Sequence, residues 1–409
     1  MFSKSKASAA LAVYFAPAIY TAGSVIEGEV ELNFRQLRED NIDEVHVKLR
    51  GLSDTWIILD KVTLTEQIKL ASDNVSVWSR GGAYPDPGSD ILRFPFRFTL
   101  PEQLPPSFKY QSSWQIAQVK YSVCAVGARK GRLTPNRRHR VPIAVLPRDE
   151  LGVSVREEAA TQGWKRFDKE DSIRKGLWGD YAKVHVELAL PDIPVLPLFS
   201  DIPYTITVTT TSAPLSREKA NADKAIYPPV PHDPHEIEFD LHQKLLFRAQ
   251  DYKGKASTSV AMILGGKKEK RPQAPIDVSL PEKEWAPLNS ALVADEKERS
   301  GQHHEGGGSG GKGSWVQRAT FQSTFRLNCP PAFAVHNVEC NYVLVVKVPF
   351  PGMGNSLKLE VPVNVTSGID EPLARDPSAP DAENEPPILD LPPAYWDPES
   401  NDWDADEKN

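Results

Sequence analysis

Phe94-Pro95-Phe96-Arg97-Phe98-Thr99-Leu100-Pro101, followed by Leu104-Pro105-Pro106-Ser107-Phe108, is the stretch that decides the fold. Phenylalanines at every second position, with Arg93, Pro95 and Arg97 between them, put one face of a strand on a core and the other in water. Pro95 has no N–H to give to a ladder, which predicts an edge position. The prolines that follow fix the shape of a loop before the chain resumes alternation at Val119, Tyr121, Val123 and Ala125.

Working outward, the same period recurs. Ile26, Gly28, Val30, Leu32 and Phe34 alternate with Glu27, Glu29, Glu31, Asn33 and Arg35, and Val45, Val47 and Leu49 alternate with Glu44, His46, Lys48 and Arg50. These two runs, joined across Leu37 to Asn41, are expected to be neighbouring strands. The pattern stops after Val141 to Leu146. Pro147 to Lys175 is charged and irregular, an expected connection with a short helix near Val155 to Thr161. Alternation returns at Val184 to Leu190, Tyr204 to Val208, Ile237 to Leu241, Trp315 to Leu327, Val338 to Val348 and Leu357 to Val365. Short strands separated by turn residues argue an all-β chain of two immunoglobulin-like sandwiches in tandem. The expected division is 1–147, a connection at 148–175, 176–368, and a tail at 369–409. Residues 251–314, rich in Lys, Glu, Pro and Gly, are expected to be a flexible insertion in the second sandwich.

The charge is unevenly placed. The net formal charge is −7, yet the stretch from Asp370 to Asn409 holds thirteen acidic residues against Arg375 and Lys408, which leaves about +4 for the rest. That is too weakly basic to predict nucleic-acid binding. Cys124, Cys329 and Cys340 have no CxxC spacing, so they suggest neither a disulfide framework nor zinc, and a reducing compartment fits them best. Lys4 and Lys6 before the apolar Ala7 to Ala22 resemble a secretory leader only faintly, and a first strand and turn is the expected reading.

Sequence motifs for chemistry are missing. No GxSxG elbow and no phosphate-binding glycine motif follows a strand. His303, His304 and Glu305 open a glycine run and read as a solvated loop rather than a metal site, and Glu27, Glu29 and Glu31 read as a solvent-facing strand surface. The expectation is a non-enzymatic chain with no catalytic residue, no metal and no cofactor.

Tyr20-Thr21-Ala22-Gly23-Ser24-Val25-Ile26-Glu27-Gly28, the run Ile42 to Gly51, and above all the Phe94 to Phe108 stretch with Val119, Tyr121 and Val123 resemble the amino-terminal domain of the arrestin family. More loosely, Val184 to Leu190, Ile202-Pro203, Cys340 to Val346 and Leu359 to Val365 are similar to its carboxy-terminal domain. The resemblance implies two arrestin-type sandwiches. It further implies an α-arrestin, a cytoplasmic trafficking adaptor recruited to the plasma membrane or endosomes. Such adaptors carry Pro-Pro-x-Tyr motifs, and Pro392-Pro393-Ala394-Tyr395 fits that pattern. Consecutive prolines pre-set a polyproline II helix that docks in the aromatic groove of a WW domain. The implied partners are a WW-domain HECT-type ubiquitin ligase and the cytosolic tails of membrane transporters or receptors, with peripheral membrane contact. Lys267, Lys268 and Lys270 are candidates for modification. A cluster of Arg129, Lys130, Arg132, Arg137, Arg138, His139 and Arg140 is the candidate site for acidic or phosphorylated cargo or anionic lipid. The alternative reading is a structural coat or retromer-like subunit in which the tail motif is incidental.

Overall fold

The computed structural model describes residues 10–129, 135–158, 162–176, 178–216, 226–265, 274–288 and 312–374. In the first half the chain runs β1 (Leu11–Phe15), β2 (Ala18–Thr21), β3 (Val25–Asn33), α1 (Phe34–Glu39), β4 (Ile42–Ile58), β5 (Thr63–Ser79), β6 (Ile91–Thr99), β7 (Phe108–Gln111), β8 (Gln115–Arg129) and β9 (Arg137–Leu146). One sheet has the order β1-β3-β6, and the facing one β2-β9-β8-β4-β5 with β7 against β8. Pro95 sits on β6, an edge strand, as its missing N–H requires.

The residues that set the sequence pattern are one packing arrangement. Gly28 lies beneath a ring: a Cβ there would be 2.7 Å from Phe96 Cζ and 2.8 Å from Phe15 Cβ. Gly51 gives the same clearance to Tyr121, whose ring carbons would lie 2.7 Å from a Cβ, and the Tyr121 hydroxyl donates to the Pro105 carbonyl at 2.8 Å. Ser107 ties the proline loop to β9, its amide donating to the Val145 carbonyl at 2.7 Å and its Oγ accepting from the Val145 amide at 3.0 Å.

β3 and β4 are not neighbours, contrary to the expectation from their shared alternation. They belong to opposing sheets, and α1 carries the chain across. Asn33 caps that helix by accepting from the Gln36 amide, while Phe34 and Leu37 bury its inner side. Period two gives the face of a strand but not its partner, so adjacency in sequence misled.

After α2 (Glu150–Glu158) the second half runs β10 (Trp164–Arg174), β11 (Tyr181–Pro191), β12 (Leu196–Pro197), β13 (Ile202–Thr211), β14 (Leu215–Ser216), β15 (Glu238–Ala249), β16 (Tyr252–Leu264), β17 (Asp277–Ser279), β18 (Glu284–Pro287), β19 (Lys312–Phe325), β20 (Phe333–Ala334), β21 (Val338–Pro349), β22 (Ser356–Val363), β23 (Val365–Thr366) and β24 (Leu373–Ala374). Its two main sheets are β10-β11-β13-β19, with β14, β17 and β18 also on β19, and β16-β15-β21, with β20 and β22 also on β21.

Two expectations of irregular chain are corrected here. Residues 164–174 form a full strand along β11, and 252–264 a full strand along β15. Both are edge strands, and β10 buries only Ile173. β10 leaves both faces largely in water and β16 buries side chains only at its end, Ala261, Ile263 and Leu264, so neither carries an apolar alternation along its length.

The halves touch through aromatic and polar contacts. Phe108 meets Phe333 at 5.2 Å and Tyr110 stacks on Phe247 at 5.3 Å. Ser53 Oγ donates to Asn337 Oδ1 at 2.7 Å, Asn337 Nδ2 donates back to the Ser53 carbonyl at 3.0 Å, and Thr55 Oγ1 donates to the Arg248 carbonyl at 2.6 Å. The chain then returns to the first half. Ser367 Oγ donates to the Pro147 carbonyl, the Gly368 amide donates to Asp149, and β24 pairs antiparallel with β2.

Candidate functional site

The register of β4, β8 and β9 lines up side chains in rows across the sheet. Lys48, Cys124 and Arg140 share one row, Arg50, Ser122 and Pro142 the next, and His46, Val126 and Arg138 a third. Val47, Leu49 and Val123 face the sandwich core, so these rows face away from it. Lys120 and, on β5, Lys69 sit on the same side, each beside Leu52.

Two carboxylates occur on this face among the described residues of these strands, and both are engaged. Asp54 is bound by Lys120 Nζ at 3.0 Å, Gln118 Nε2 at 3.2 Å and Gln67 Nε2 at 2.7 Å, and the side chains of Asp54 and Lys120 are each only 2% exposed. Glu44 accepts from Ser76 Oγ at 3.1 Å and lies 3.3 Å from His46. Arg138, Arg140, Lys48, Arg50 and Lys69 gather positive side chains on this face, a field that favours an acidic ligand.

The residues of the sequence-predicted basic cluster divide. Arg138 and Arg140 lie on this face, whereas Arg129 and Arg137 hold Asp40 at the end of α1. Arg137 donates from Nε and Nη2 at 2.9 and 2.8 Å, and Arg129 Nη2 donates to the same carboxylate. Chiefly through the Arg137 hydrogen bonds, Asp40 is held below its ordinary pKa. His139 Nδ1 accepts from the Val13 amide at 3.1 Å, and burial lowers its pKa, so the ring is neutral at pH 7. Lys130 and Arg132 lie outside the described residues, as do Pro392, Pro393, Ala394 and Tyr395, the three candidate lysines and the His303–Glu305 group. Sequence reading missed Lys48, Arg50, Lys69 and the Asp54–Lys120 pair. Their signal was present in the polar positions of the alternation, which read simply as a wet side.

Residues 11–150 match the family model described as arrestin (or S-antigen), N-terminal domain. Residues 11–150 are arrestin-like. No curated protein matches it significantly.

The second half of the chain carries a different surface. The hairpin tips between β10 and β11 and between β21 and β22 are laced together: Tyr227 Oη donates to the Arg174 carbonyl at 3.0 Å, and Asn355 Nδ2 donates to the Pro351 carbonyl at 2.9 Å and to Tyr227 Oη at 2.8 Å. From this braced base Trp178 is 95% exposed and Met353 fully so. The Arg174 guanidinium lies 5.1 Å from the Tyr181 ring centroid beside them. Among the described residues no helix is long and apolar enough to cross a membrane, and no group of three or more metal-ligating side chains gathers.

Proposed function

We propose that this arrestin-like chain is a trafficking adaptor of the α-arrestin kind. Its first sandwich binds an acidic stretch in the cytosolic tail of a membrane transporter or receptor. Its Pro392-Pro393-Ala394-Tyr395 motif binds a WW domain of a HECT-type ubiquitin ligase, and the ligase transfers ubiquitin to the cargo, marking it for endocytosis. The observation that supports the cargo half of this reading is the gathering of Arg138, Arg140, Lys48 and Arg50 on one sheet face. Arginine pairs bidentately with carboxylate or phosphate, which suits such a ligand. Recruitment to the plasma membrane or endosomes is supported by Trp178 and Met353, apolar groups that gain by entering a lipid interface next to Arg174 and Lys175.

The test is fluorescence anisotropy of a labelled glutamate-rich peptide titrated with the full chain. Reversing two charges of the face, Lys48→Glu with Arg140→Glu, weakens binding at least tenfold, whereas the reversal Lys253→Glu in the second half leaves it unchanged. Equal affinity of the face-reversed and unsubstituted chains removes the cargo assignment.

A further inference from the structure

The outer edge of β19 is occupied by a short piece of chain from the stretch that separates β16 from β19. β17 and β18 lie antiparallel along it, with Val278 opposite Phe321, Trp285 opposite Trp315 and Pro287 opposite Gly313, while β13 holds the other edge. The attachment centres on one ring. Gly313 leaves a notch in which a Cβ would sit 2.5 Å from Trp285 Cζ2, and the indole meets Trp315 edge-on at 5.3 Å.

Beyond that ring, Ser323 Oγ donates to the Pro275 carbonyl at 2.7 Å, Lys283 Nζ lies 5.3 Å from the Trp315 ring centroid, and Ile276 packs against the core. Leu280, Pro281, Glu282 and Lys283 leave the ladder opposite Gln317 to Ala319, and Gln317 Oε1 is a buried acceptor with no donor among the described residues. Val278, Leu280 and Leu288 of the segment are exposed. A segment held by short ladders, one ring and mostly exposed contacts at a sheet edge belongs to the part of a fold that opens before the core does.

The spacing that seats this segment, tryptophan then proline two residues on, recurs in the chain. Of the nine tryptophans only Trp285 and Trp396 are followed by it, the second within Tyr395-Trp396-Asp397-Pro398. Set in the same register, Trp396 would face Trp315 and Pro398 would face Gly313. Tyr395 and Asp397 then replace Glu284 and Ala286, both exposed positions, so neither polar group is forced out of water. β24 ends at Ala374, and the residues from there to Trp396 span up to about 70 Å when extended.

We propose that the outer edge of β19 is a docking site for this chain's own Tyr395–Pro398 segment, in exchange with Glu284–Pro287. A backbone paired in that ladder is not available as a polyproline II ligand, so docking withholds Pro392–Tyr395 from a WW domain. Only this regulatory consequence rests on the tail being a ligase ligand.

The test contains no WW domain, so its failure and that of the ligase reading are separable. A labelled synthetic peptide of residues 390–402 is titrated into the full chain carrying Trp285→Ala and Trp396→Ala, which vacates the edge of both occupants. Saturable binding is expected, at least tenfold weaker for the Trp396→Ala peptide and at least tenfold weaker when Gly313→Val fills the notch. An unlabelled peptide of residues 281–290 displaces the labelled one, a readout that needs no further variant to fold. Absence of saturable binding, binding indifferent to Gly313→Val in a chain of unchanged circular dichroism, or failure of the 281–290 peptide to compete overturns the proposal. Dimerisation of the doubly substituted chain in place of peptide binding assigns the edge to a second copy and equally overturns it.

Discussion

Asp54 and Lys120 meet at 3.0 Å with both side chains almost wholly out of water. Removing one partner strands the other's charge, which costs about 3–5 kcal/mol. Lys120→Met should therefore lower the free energy of unfolding in urea by that amount, and adding Asp54→Leu should recover part of the loss. Additive losses would mean the pair is not coupled. Cys329 and Cys340 behave oppositely to reactive thiols, because burial pushes both up to about 12. Neither should react with Ellman's reagent at pH 8 until the chain unfolds. The sign for stability follows from the same shift: the native state disfavours the thiolate, so stability is full below about pH 9 and falls as pH rises from there toward 12. At this scale the sequence was legible in part. Gly28 and Gly51 stood out within their runs, but that they clear Phe96 and Tyr121 depends on which strands cross, and alternation does not encode crossing.

Among the elements, α1 matters most to the first sandwich, since it takes the chain from one sheet to the other and ends on Asp40. That carboxylate joins the helix to β8 and β9 through Arg129 and Arg137. Its pKa lies below the ordinary 3.8, so its contribution is present above about pH 4 and disappears as pH falls through the lowered value. Asp40→Asn should lower stability at pH 7 by about 2 kcal/mol and flatten the acid limb of the stability profile, checked by urea titrations between pH 2 and 7. An unchanged acid limb would show that Asp40 is not tied to the arginines. Strands that commit one face to the core, such as β3, β4, β6 and β8, announced themselves in the sequence. The edge strands β10 and β16 did not, because β10 carries charge on both sides and Tyr252 to Ser259 of β16 is polar, small or exposed, and such edge strands look like loop. β17 and β18 were hidden for the same reason inside a stretch whose composition resembles a linker.

For the whole molecule, the arrangement places a cationic sheet face in the first half and braced apolar tips in the second. β24 brings the start of the acidic tail back to β2, on the sheet that bears Arg138 and Arg140. The tandem sandwiches were legible from strand patterning, and the arrestin-like character of residues 11–150 from the stretch around Phe94 to Phe108. The cationic face was not, because it is assembled from β4, β5, β8 and β9, whose mutual register no local pattern reveals. Binding through such a face is screened by ions, so affinity for an acidic peptide should fall at least tenfold between 50 and 500 mM salt, on the order expected when several charges are screened. Salt-independent binding would point to an apolar contact instead. The adaptor account requires that one chain hold an acidic ligand and a ligase domain together. The direct measurement is retention of a labelled WW domain from a HECT-type ligase on beads bearing a glutamate-rich peptide, with the full chain as the only bridge. The WW domain should be retained by the unsubstituted chain and lost with either Tyr395→Ala or the Lys48→Glu and Arg140→Glu pair. Equal retention with all three chains would contradict the account.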